Sequence, residues 1–216
     1  MPNVSLWSNV QIAVQSAISA SQSVSGVTKA NPGVATYVGS DNFANSDWVL
    51  MAAQGMYQID GRIFRVAGAD TVANTFQLEG ENTTAYDTYT SGGVQEITFG
   101  TTLSIVTDVQ VSGGDFDQID VTTIHDNVRK QIPGAASPIV FSGSCVWDVA
   151  DAGFAALKAA SDAKAQLGIR ITFANAQKVV FTGYIGFTGL PTGQAQDKVV
   201  TPFQITMFGR PTTYAT

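Results

Sequence analysis

Two segments of this 216-residue chain alternate apolar and polar side chains with a period of two, the signature of strands buried on one face only. In Val179–Thr188, Phe181, Ile185 and Phe187 fall on one side, with Thr182, Tyr184 and Thr188 on the other. In Val199–Phe208, Phe203, Ile205 and Met207 oppose Gln204 and Thr206. Leu190-Pro191-Thr192-Gly193 supplies the turn residues between them. The second face of each strand carries hydroxyls and amides in place of lysine and glutamate. A slip of one residue would turn Phe181, Ile185, Phe203 and Ile205 onto that wet face, so the register is strongly specified.

The pattern recurs upstream. Leu103–Ser112 reads as a strand with Leu103, Ile105, Val109 and Val111 against Asp108, Gln110 and Ser112, and Ile139–Val146 sets Ile139, Phe141 and Cys145 against Ser142 and Ser144. Cys145 lies on the apolar side, as an inert buried thiol would. The one strong helix signal is Val149–Leu167. Asp148 and Asp151 are its candidate N-cap acids and Gly168 its candidate C′ residue, while six alanines supply propensity and Phe154, Leu157 and Leu167 an apolar stripe. The fold class expected is all-β with one α-helix.

Charge narrows the function. Eleven basic and seventeen acidic residues leave a net charge of −6, the wrong sign for grip on a phosphate backbone. Only 13% of residues are charged and 44% are hydrophobic, a profile for a folded chain. One cysteine and one histidine cannot build a His/Cys zinc site in one subunit. Met1–Gln22 lacks the basic and apolar regions of a signal peptide, and no apolar run of membrane-spanning length occurs. The glycosylation triplets Asn3-Val4-Ser5 and Asn82-Thr83-Thr84 therefore read as chance matches.

Phosphate-binding loops, dinucleotide fingerprints, the G-x-S-x-G elbow and H-E-x-x-H are all missing from the sequence. His125 beside Asp126 is the remaining catalytic option, and it sits in a polar stretch where a surface or interface role is the commoner one. That stretch, Asp120–Ser137, carries both signs of charge and reads as a loop too long for a hairpin turn, either functional or disordered. Asp115, Asp117, Asp120 and Asp126 do not fit an EF-hand, because Asp120 falls at the glycine position and Asp126 at that of the bidentate glutamate. No cofactor or metal is implied.

Residues 23–95 have a different texture. Asp41–Asp47 is a turn-rich break, Trp48–Met51 reads as a buried strand, Ile59–Val66 as a turn and strand, and Thr75–Leu78 as another strand. Short strands at this spacing suggest a small barrel or sandwich.

Taken in order, Ile171-Thr172-Phe173-Ala174-Asn175, Val180-Phe181-Thr182-Gly183-Tyr184, Asp197-Lys198-Val199 and Phe203 through Pro211 resemble the tail tube proteins of long, non-contractile-tailed bacteriophages. Asp120–Pro133, Phe141-Ser142-Gly143 and Trp147-Asp148 resemble that family's long loop, next strand and lead into its helix. The resemblance covers residues 1–22 and about 96–216. Residues 23–95 separately resemble a small β module of other phage tail proteins that is similar to the FCCH domain of ubiquitin-activating enzymes, through Met56, Ile59–Val66, Thr75–Gly80 and Tyr86–Gly93. The division expected is a discontinuous tube domain, 1–22 and 96–216, with 23–95 inserted on the tube exterior.

The resemblance implies a tube-wall sandwich or barrel whose inner sheet joins neighbouring subunits, and six subunits per ring, with rings stacked into a tube that conducts the DNA genome. It implies tape measure, tail terminator and tail tip proteins as partners, DNA in passage only, and assembly in the host cytoplasm before residence in the virion tail. Asp108, Gln110, Ser142, Ser144, Thr182, Tyr184, Thr188, Gln204 and Thr206 would face the lumen. Asp120, Thr123, His125, Asp126, Arg129, Lys130 and Gln131 would belong to an inter-ring stacking loop. An adhesin or carbohydrate-binding β module stays open as the alternative; its signature would be clustered exposed aromatics, and Trp7, Trp48 and Trp147 lie in separate segments.

Overall fold

The structure, a computed structural model, describes residues 7–39 and 42–215. The triplet at Asn3 and the first residue of the Asp41–Asp47 break lie outside the described residues. The chain is mostly β, with one α-helix among the described residues. Its strands are β1 (Gln11–Ile18), β2 (Gln22–Val27), β3 (Val34–Val38), β4 (Trp48–Gln54), β5 (Ile63–Asp70), β6 (Thr75–Leu78) and β7 (Ser91–Leu103). There follow β8 (Val106–Ser112), β9 (Phe116–Asp120), β10 (Gln131–Ala136), β11 (Val140–Val146), α1 (Ala152–Ala163), β12 (Gln166–Thr172), β13 (Lys178–Phe187) and β14 (Val200–Tyr214).

One hydrogen-bonded sheet runs in the order β2-β3-β6-β5-β4-β7-β1-β12-β13-β14-β11-β8, and β2 also pairs with β7. That extra pairing closes β2 to β7 into a six-stranded barrel. The sheet's other strands, β1, β12, β13, β14, β11 and β8, form an open antiparallel sheet that curls around α1, and β9 and β10 make a separate two-stranded sheet. β7 belongs to both barrel and open sheet: Ser91–Ile97 pair with β4, and Ile97–Leu103 pair with β1. β7 runs unbroken through residues 95 and 96.

Each part has its own core. Phe141, Phe181, Ile185, Phe203 and Ile205 are buried beneath Phe154 and Leu157 of the helix, as the alternation requires. Each such side chain contributes about 1.5–3 kcal/mol by leaving water. In the barrel, Phe43, Met51, Phe64, Phe76 and Leu78 play the same part. A third cluster of Trp48, Ile63, Ile97, Val180 and Tyr214 joins the two. Around it, the Thr182 hydroxyl donates to the Gly61 carbonyl (2.6 Å), Thr212 donates to the Ile63 carbonyl, and the Arg65 amide donates to the Tyr214 hydroxyl (2.8 Å). Gly61 has φ +66°, and a Cβ there would stand 2.2 Å from the Phe208 ring, so this turn needs glycine twice over. Burial beneath Trp48 and beside Arg65 pushes the Tyr214 phenol up to about 12, with burial the main cause.

The helix is shorter than Val149–Leu167. Asp151 is its N-cap, its carboxylate accepting from the Phe154 amide (2.9 Å), whereas Asp148 bonds the Ala150 amide before the helix begins. At the other end Lys164 takes a left-handed φ of 51° and the Ala165 amide bonds the Ala160 carbonyl, closing the helix four residues early. The chain then enters β12, so Leu167 is a strand residue. Gly168 is not C′; it is buried in β12, where a Cβ would crowd Ile63, Gln15 and Ile97. Leu103–Ser112 likewise divides, with β7 ending at Leu103 and β8 starting at Val106. Val111 is 62% exposed, because β8 is the last strand of the sheet and the helix packs instead on β13, β7 and β1.

Candidate channel face and assembly arm

The register of β8, β11, β14 and β13 brings the polar side chains together in rows. Asp108 stands opposite Ser144, and Gln110 opposite Ser142, which in turn stands opposite Gln204. Thr206 stands opposite Tyr184. Thr188 follows β13, exposed. Residues directly opposite in an antiparallel pair share a face, so these eight belong to one surface. Its centre is a shallow depression of about 410 Å³ bordered by Asp108, Gln110, Ser142, Ser144, Thr188 and Gln204. Asp108 is the one charged side chain among the eight, and the Thr107 hydroxyl donates to it (3.2 Å).

Thr182 shares the alternation but not the exposure. It is 1% exposed, with its hydroxyl committed to Gly61 and accepting from the Gln166 amide (2.8 Å). The turn before β5 covers it, so Thr182 does not face an open channel. The open part of the face ends at Tyr184 and Phe208, whose rings meet edge-on at 6.4 Å, both half-exposed. Phe208 follows from the same period as Gln204 and Thr206, as the one large apolar side chain on that side of β14.

The segment read as a long polar loop is a β-hairpin. β9 and β10 pair with Gln131 opposite Asp120 and Ile132 opposite Ile119, and residues 121–130 form the tip. The Gly114 amide bonds Ser137 and the Ser137 amide bonds Asp115, so the hairpin continues the β8–β11 ladder as an arm. The tip is internally braced: the Thr123 amide and hydroxyl donate to Asp126 (3.0 and 2.9 Å), and Lys130 pairs with the same carboxylate. Lys130 first, then Thr123, holds the Asp126 carboxyl below its ordinary range, and Thr122 does so for Asp120. Gln131 is exposed in β10, and Arg129 and His125 are exposed in the tip.

Sequence reading missed the arm's apolar side chains. Phe116, Ile119, Ile124, Val128 and Ile132 are 48%, 51%, 96%, 73% and 48% exposed. Their signal was present as an apolar residue every few positions between Phe116 and Ile132, masked by intervening charges. Among the described residues no group of three His, Cys, Asp or Glu side chains is placed to hold a metal ion. Cys145 is fully enclosed, and burial pushes its thiol up to about 11. No helix among the described residues is long and apolar enough to cross a membrane.

A family model for the phage tail tube protein, TTP, matches residues 54–216. The chain belongs to this family. The match takes in the face, the arm, the helix and β5 to β7 of the barrel. No curated protein matches the chain. The subunit is thus a structural component of a bacteriophage tail, one of a family that assembles with itself into a tube and is not an enzyme family. The clustered exposed aromatics of an adhesin are not formed by the three tryptophans, since Trp48 is buried and Trp7 and Trp147 belong to separate contacts, with Phe173 and the Gly189 carbonyl.

Proposed function

We propose that this subunit builds the tube of a long, non-contractile tail, six copies closing each ring, and that the face of β8, β11, β14 and β13 is the channel wall through which DNA passes. The observation that carries this reading is the wall's chemistry: a broad wet surface with one carboxylate and no cation among the eight residues named above. Rows of lysine there would form phosphate contacts and hold the genome, whereas hydroxyls and amides let it slide. Ring closure falls to the sheet edge. Among the described residues β8 presents an unpaired edge, a template for another strand that a monomer would have to protect. Pairing it with the neighbouring subunit makes the inner sheet continuous.

Stacking falls to the arm, with Asp120, Thr123, His125, Asp126, Arg129, Lys130 and Gln131 at or beside its tip. The inserted module of residues 23–95 lies beyond Thr182, past the end of the wall, which suits a place on the tube exterior. The resemblance to the FCCH-like module describes its fold class only. Assembly in the host cytoplasm, and contacts with tape measure, terminator and tip proteins, belong to the same reading.

Negative-stain microscopy of the purified protein tests it. Rings and tubes are expected, and reversing Arg129 and Lys130 to Glu should leave rings while shortening tubes, because it breaks the Asp126 brace and adds repulsion across the contact. Only compact monomers from the native chain at high concentration, with no rings in virions, would overturn the proposal.

A further inference from the structure

A groove of about 550 Å³ lies where the curled sheet fails to close, between the end of β7, the start of β1 and the start of β8. Its walls are largely apolar: Trp7, Val10, Ile12, Leu103, Val106 and Val109. Trp7 is 63% exposed. Ile12 and Leu103 at its floor are buried in the main core, whereas Val10, Val106 and Val109 are half-buried at the core's margin, so among the described residues the groove leaves apolar surface open.

Arm and groove stand at opposite ends of one strand. The groove takes in Val106–Val109, at the start of β8, whereas the arm continues the ladder beyond Ser112, at its end. The last three residues of β8, Gln110–Ser112, separate the two features by about 10 Å, and the five residues of β9 carry the tip roughly 17 Å further. An arm of this reach and direction leads away from its own groove. Two unlike surfaces at opposite ends make a head-to-tail contact, the kind that propagates without closing.

Their chemistry also matches. The tip offers Ile124 and Val128, almost fully in solvent. Its Asp126 and Lys130 satisfy each other, which leaves Arg129 as the tip's cation without an ion pair among the described residues. The groove's lining contains one acid, Asp108, and no base. Asp108 stands at the margin between groove and polar face, bordering both.

We infer that the groove is the receptor for the arm tip of a second copy in the next ring, with Ile124 and Val128 seated against Val10, Val106 and Val109 and Arg129 directed at Asp108. This rests on the tail-tube reading and names the partner surface that the reading leaves open. It also accounts for the arm's apolar content, which a purely electrostatic stacking loop would not need.

The test uses the full chain with Thr107→Cys on the groove rim and Val128→Cys on the tip, assembled and treated with a short bis-maleimide. Cys145 contributes no background, being enclosed. The expected product is a covalent ladder running past the number of copies in one ring, while two single-cysteine chains assembled together give dimers and nothing longer. Tubes that assemble but do not cross-link overturn the inference and leave the tail-tube reading standing. A ladder that stops at ring closure also overturns it, since it assigns the groove to the lateral neighbour. Absence of rings and tubes from the native chain defeats both.

Discussion

Tyr214→Phe isolates the bond that ties the end of β14 to the barrel. The phenol oxygen accepts from the Arg65 amide at 2.8 Å, while the ring stacks edge-on against Trp48 at 5.4 Å and lies under the Arg65 guanidinium at 4.9 Å. Removing the oxygen keeps the ring and its contacts but strips a buried amide of its acceptor. Leaving such a donor unpaired costs about 1–3 kcal/mol, and that is the loss expected at neutral pH.

The same oxygen makes the effect depend on pH. Burial raises the folded phenol from 10.0 to about 12, so the folded state favours the neutral form. Its contribution is complete below the unfolded value near 10, declines as pH climbs, and is gone above about 12. By linkage the native chain should lose roughly 1.4 kcal/mol at pH 11, a loss the phenylalanine variant does not share. The gap between the two proteins should therefore narrow from pH 9 to pH 11. Urea unfolding followed by tryptophan fluorescence measures it, with Trp48 reporting from the junction itself. A difference below about 0.5 kcal/mol at pH 7, or a gap that stays constant to pH 11, would refute the assignment of Tyr214 as a buried acceptor.

Two further outcomes follow from the same contacts. Thr182→Val should cost about 2–4 kcal/mol in urea unfolding, because the Gly61 carbonyl and the Gln166 amide both lose their partner, whereas Thr182→Ser should cost about 1 kcal/mol; equal losses would mean that the hydroxyl is not the determinant. Gln204→Lys, at the centre of the proposed wall, should leave tubes intact but slow genome ejection at low salt, with the defect easing as salt rises; ejection kinetics unchanged at every salt concentration would remove Gln204 from the channel.

The strands around the face were legible because burial on one side forces a period of two. Phe181, Ile185, Phe203 and Ile205 are buried where the alternation puts them. The helix end was less so. Alanine propensity runs on through Ala163 and Ala165, but Leu167, Ile169 and Ile171 are worth more as strand residues beside β1 and β13, and tertiary burial prevails over local preference. The arm was hidden for another reason. Its pairing of Ile119 with Ile132 buries little, so no strong alternation marks it, and its apolar side chains stay exposed in the subunit.

Thr182 and Thr206 show where reading by period stops. Both are threonines on the polar side of long strands, each followed two residues later by an aromatic ring. One is half-buried on the open face and the other sealed, and the difference is made by Gly61, a turn residue 121 positions away in the barrel. Alternation tells which side of a strand a residue takes. What lies on that side depends on non-local packing, here on a glycine that lets the barrel approach within hydrogen-bonding distance of β13. The extent of the polar face is therefore set by the barrel as well as by the strands that form it. Any larger residue at Gly61 would push Phe208 outward and expose the Thr182 hydroxyl, lengthening the polar face by one row at the expense of the junction.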